Sequence, residues 1–164
     1  AAGRGAPGAA WAPCGEHADP ACADPGGGGC GPAGQLVRVF AALRPGTALG
    51  LSEATLRLLT APLRSGMVDE LQGAVYDWAC LGAVGRVALA GSTASDSAIA
   101  HGGSQSSCMW CDPQTGWCCA ILCNGKPGGE AHYKRMELVS TAVARDLAEQ
   151  FGAGLGTAPA CACA

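Results

Sequence analysis

Between Ala98 and Asn124 the chain alternates strand-like stretches with two glycine-bearing breaks, and no other segment constrains the fold as much. Residues 104–111 have strand character and run into Asp112-Pro113-Gln114-Thr115-Gly116. In such a turn proline fixes φ and glycine accepts a left-handed backbone, so the chain doubles back on itself. Residues 117–123, Trp-Cys-Cys-Ala-Ile-Leu-Cys, are then apolar without interruption, as in a strand covered on both faces. Upstream, residues 97–101 read as a strand that ends in His101-Gly102-Gly103. A titratable ring followed by two residues without side chains lets another backbone approach closely beside it.

Three helices frame this segment. Leu36, Val37, Phe40 and Leu43 recur at helical spacing within residues 35–43, and Arg44-Pro45-Gly46 ends them. In residues 51–63, Ser52 is placed to cap a helix whose first turn holds Glu53. Leu51 and Leu56 sit where a hydrophobic staple closes, and Pro62 stops the run. Residues 130–151 put Met136, Val139, Val143 and Leu147 on one stripe, with Gly152 as the C-terminal cap. Strand-like segments at 75–81, 86–90, 97–101, 104–111 and 117–123 lie between the second and third helices. Blocks in this order predict an α+β fold, an antiparallel sheet flanked by helices, with the long helix touching Ile121 or Leu122. Residues 1–34, rich in Ala, Gly, Pro and Cys without an apolar period, read as a disordered linker. Residues 152–164 read as a flexible tail, which leaves 35–151 as the folded part.

A net charge of −3 argues against nucleic acid or an acidic membrane as partner, because neither finds a basic footprint. The best apolar run, residues 78–84, falls far short of the ~20 residues a membrane span needs. Eleven cysteines raise a disulfide or metal reading. Their odd number, the lack of a secretory signal and their positions inside apolar strands favour reduced, buried thiols in an intracellular compartment. Cys108-x-x-Cys111 with Cys118, Cys119 and Cys123 suggests zinc. Strand alternation, however, sends Cys108 and Cys111 to opposite faces, so no metal and no cofactor are expected. Asp77, Asp96 and Asp112 read as turn and strand-edge acids, and His17 and His132 have no companions at ligand spacing.

His101-Gly102-Gly103-Ser104 followed by the Asp-Pro-x-Thr-Gly hairpin resembles the C-terminal part of serine β-lactamase-related and penicillin-binding-protein-like domains. It is closest to the esterase-like branch, in which His-x-Gly replaces Lys-Thr-Gly. The Leu-Ser-Glu-Ala-Thr helix and the long final helix stand in the order this family uses, so the resemblance covers residues 35–151. It implies a partial β-lactamase/transpeptidase-like fold and acyl transfer from a small ester or amide to a serine, followed by hydrolysis. It gives His101 an acid–base or electrostatic role beside the nucleophile, and the Ser104 N–H one place in an oxyanion hole. Gly102 and Gly103 would leave room for substrate.

The family's Ser-x-x-Lys is missing, since no serine here has Lys three residues later. Ser95-Asp96-Ser97 stands too close to the His-Gly-Gly strand to be the family's Ser-x-Asn loop. The expectation is therefore a fragment of a longer chain, without its nucleophile and inactive alone, that has further domains as neighbours. A non-catalytic scaffold or interaction domain and a cysteine-rich zinc module are the alternatives.

Overall fold

The computed structural model describes residues 31–42, 50–70, 73–103 and 106–152. Six strands pair in chain order into one antiparallel sheet: β1 (Arg64–Asp69), β2 (Ala74–Ala79), β3 (Gly82–Val84), β4 (Ile99–Gly103), β5 (Ser107–Asp112) and β6 (Trp117–Leu122). Three helices accompany them: α1 (Ala33–Ala42), α2 (Glu53–Thr60) and α3 (Gly129–Phe151). The expected α+β class and the central hairpin are both present. Asp112 pairs with Trp117 and the turn closes through Gly116 N–H to the Asp112 carbonyl, 2.8 Å. The proposed linker up to residue 30, the tail beyond Gly152, Leu43 and the Arg44-Pro45-Gly46 stop lie outside the described residues.

Ser52 caps α2 as its sequence position suggests, its hydroxyl accepting from Thr55 N–H at 3.1 Å. The helix stops at Thr60, before Pro62, because a proline disfavours helical geometry in the residue ahead of it. Gly152 follows α3 with φ +84° and donates its N–H to the Ala148 carbonyl.

Alternation along β4 and β5 sorts the core into two layers. Ala98, Ala100, Cys108 and Trp110 face α3 and a short 3-10 turn (Ala88–Ala90), with Leu89, Met136 and Ala144 from those elements. Ile99 and Cys111 face the other way and pack with Phe40 of α1. Ile121 joins the first layer, which carries the Met136 and Ala144 contribution of α3, whereas Leu122 is exposed.

The stripe of α3 differs from the expected one. Its buried residues are His132, Met136, Ser140, Thr141 and Ala144, while Val139 is exposed. The reason is the Trp110 indole, fully buried beneath the helix, which is met at position 140 by a small hydroxyl side chain. Its Nε1–H donates to Ser140 Oγ (3.0 Å), and Ser140 Oγ–H donates in turn to the Leu89 carbonyl (2.8 Å). At the next residue, Thr141 Oγ1 accepts from Ser92 N–H at 2.8 Å.

Two other expectations are corrected. Residues 86–90 are not a strand: the chain turns at Gly85, Arg86 pairs with Asp96 (2.9 Å), and Ala88–Ala90 coil into the 3-10 turn. The strand falls earlier, at Gly82–Val84. β1 carries no sequence signal, because most of its residues are exposed and a register shift between Arg64 and Met67 breaks its alternation.

Ser140→Ala removes the acceptor of a buried indole N–H and the donor to a buried carbonyl. It should cost about 2–3 kcal/mol of stability, read as a lower urea midpoint at unchanged slope. Lys134→Ala, in an exposed ion pair on the same helix, should leave the midpoint where it is.

Candidate functional site

His101 lies on β4 opposite Met109 of β5, on the face that also holds Ile99 and Cys111, and its side chain is exposed. Gly82 of β3 approaches the β4 backbone so closely that a Cβ there would collide with the Ala100 carbonyl oxygen. With its φ of +151° as well, this position requires glycine. On the far side of β3, the ring of Trp78 meets that of His101 edge to face, with centroids 6.3 Å apart and planes at 76°. The Trp78 Nε1–H donates to Asp69 Oδ2 at 3.1 Å, and Arg64 reaches the same oxygen at 3.4 Å. His101 is thus backed by an aromatic ring that a carboxylate on β1 holds in orientation. Sequence reasoning singled out neither Trp78 nor Asp69 for this place, since they come from strands two and three positions away in the sheet.

The two glycines of the triplet do different things. A Cβ on Gly102 would meet Leu89 Cδ1 at 3.3 Å, so this residue faces the packed core on the α3 side, opposite His101. Gly103 pairs with Ser107 and shares the His101 face, where a Cβ would stand 2.6 Å from Ser107 Oγ. The place a Gly103 side chain would take beside His101 is thus filled by the Ser107 hydroxyl, which a larger residue would displace. Ser104 lies outside the described residues.

The Ser95-Asp96-Ser97 segment has a structural task. Ser95 donates through both its N–H (2.9 Å) and its hydroxyl (2.7 Å) to the buried carboxylate of Asp112, which also accepts from Gln114 N–H. Asp112 thereby ties the loop ahead of β4 to the β5–β6 turn. Cys108 and Cys111 fall on opposite faces of the sheet, in the two separate core layers. No helix among the described residues is long and apolar enough to cross a membrane.

On the His101 face, a cavity of about 350 Å³ opens between the sheet and the helices. Phe40, Leu56, Ile99, Cys111, Trp117 and Cys118 give it apolar walls, and the Glu53–Arg57 ion pair is exposed at its lining.

The remaining histidines contrast with His101. His17 lies outside the described residues. His132 is 2 % exposed, neither ring nitrogen has a hydrogen-bond partner among the described residues, and the ring stacks edge to face on Tyr133. Burial, aided by the charge of Arg135, pushes its pKa below 6.5.

The family model described as Beta-lactamase matches residues 1–143, so the match includes the stretch before Gln35 as well as the hairpin. No curated protein and no solved structure matches the chain.

The depressed pKa of His132 sets a pH dependence. Above about 6.5 the ring is neutral in both folded and unfolded chains, and stability is at its full value. As pH falls below that, the unfolded chain takes up the proton first, and stability is lost until pH passes the lower folded value. His132→Phe should remove this part of the slope, seen by comparing urea midpoints of the two proteins between pH 7 and about 5. Equal slopes in the two proteins would exclude His132 as the source.

Proposed function

This chain belongs to the beta-lactamase family, and from that premise we propose that it forms one wall of a serine acyl-hydrolase site for a small ester or amide. The observation that carries the reading is His101. It is an exposed imidazole on a sheet strand, in edge-to-face contact with Trp78, whose indole N–H is held by Asp69. Histidine is the side chain type most often used to move protons in acyl transfer, which suits such a site. In this reading His101 supplies an acid–base or electrostatic group to the acyl oxygen or the leaving group. A backbone N–H beside the glycines adds an oxyanion donor, a type of contact worth roughly 3–4 kcal/mol in the transition state. The nucleophile is a serine of a Ser-x-x-Lys carried outside these residues.

The isolated chain should therefore form no covalent adduct with fluorophosphonate or β-lactam probes at any serine. Mass spectrometry of intact chain and peptides checks this, and a labelled serine would mean that the nucleophile lies within the sequence. In a protein that joins this chain to a segment carrying the Ser-x-x-Lys, ester hydrolysis should appear. There His101→Ala should lower kcat/KM by roughly ten- to a thousandfold. Gly103→Val should do at least as much damage, and Lys134→Ala, on the outer surface of α3, should change nothing. If no such joined protein hydrolyses esters, or if His101→Ala and Lys134→Ala behave alike in one that does, a non-catalytic scaffold is the correct reading.

A further inference from the structure

Cys111 and Cys118 stand directly opposite each other on β5 and β6 and share the α1 face of the sheet. The kind of pair they form follows from the ladder. Cys123 N–H donates to the Ser106 carbonyl at 2.7 Å, which makes residues 106 and 123 a hydrogen-bonded pair. Antiparallel pairs alternate in type, so 108/121, 110/119 and 112/117 are hydrogen-bonded, and 111/118 is a non-hydrogen-bonded pair. In that arrangement the Cα atoms sit about 4.5 Å apart and the side chains approach most closely. A disulfide accepts Cα separations of roughly 4.4–6.8 Å.

No disulfide is present among the described cysteines. Both thiols line the 350 Å³ cavity, Cys111 buried and Cys118 half-buried, so a small reagent reaches them from one side. The cysteines of the opposite face differ. Burial beneath α3 pushes Cys108 up to about 12 and Cys119 up to about 11, which keeps both protonated and unreactive. Cys119 follows Cys118 in the chain but points to the other layer, so it does not compete for Cys111.

We propose that Cys111 and Cys118 are a thiol-oxidation site, which closes to a cross-strand disulfide by exchange with a low-molecular-weight disulfide such as oxidised glutathione. The more accessible Cys118 thiolate attacks one sulfur of the reagent, giving a mixed disulfide and releasing one thiol. The Cys111 thiolate then attacks the Cys118 sulfur, forming the Cys111–Cys118 bond and releasing the second thiol. Two cysteine thiols are oxidised, one reagent disulfide is reduced, and their two protons leave on the two released thiols. The bond clamps the hairpin next to the Asp112–Trp117 pair and braces Ile99, the β4 neighbour of Cys111 two residues before His101.

The test treats the native, reduced chain with oxidised glutathione, blocks remaining thiols and cleaves with chymotrypsin without reduction. Cuts after Trp110 and Trp117 release a peptide of residues 111–117 and a second beginning at Cys118. The expected result is the two joined, lighter by two hydrogens than their sum, with fragmentation between Cys118 and Cys119 placing the link on Cys118. Recovery of the 111–117 peptide unlinked, alkylated or glutathione-capped, overturns the proposal. So does a link that fragmentation places on Cys119.

Discussion

The hydrogen-bonded line from the Trp110 indole through the Ser140 hydroxyl to the Leu89 carbonyl joins β5, α3 and the 3-10 turn at the centre of the molecule. All three groups are buried, and the serine serves as acceptor and donor at once. A buried polar group without its partner costs about 1–3 kcal/mol, so the three elements are held in one relative position rather than a range of them. The position of the rest follows. The 3-10 turn stays against Cys108 and Gly102, the segment at Ser92 is fastened to Thr141, and β4 is covered by Leu89.

That arrangement separates two kinds of surface on the same strands. Toward α3 the sheet is packed with Trp110, Met136 and small residues, and burial holds Cys108 and Cys119 protonated. Toward α1 it is open enough to leave a cavity, an exposed histidine and two facing thiols. Period-two alternation makes this possible, because one strand can serve a closed core and an accessible face with adjacent residues. His101 and Gly102 are neighbours in sequence with opposite tasks, and so are Cys118 and Cys119.

Much of this was legible in the chain because it is local. The turn at 112–116 is written in Pro113 and Gly116, the start of α2 in Ser52, and the end of α3 in Gly152. The antiparallel pairing of the last two strands follows from that short turn. β1 was not legible, since an exposed edge strand with a bulge has neither apolar alternation nor turn signals around it. Residues 86–90 carry an apolar run that fits a buried strand and a buried 3-10 turn equally well, so only the packing distinguishes the two.

By itself, then, the sequence determined the fold class, the hairpin and the caps, all of which depend on residues a few positions apart. Only the tertiary structure decided which stripe of α3 is buried. Val139 is more apolar than Ser140, but Trp110 waits beneath the helix, and only a small hydroxyl fits there and answers its N–H. Only the tertiary structure put Trp78 and Asp69 behind His101, or set Cys111 against Cys118 in a non-hydrogen-bonded pair. Such placements depend on register and on contacts between distant strands. No single stretch of chain encodes either of these, because they are settled by the shape of what packs around it.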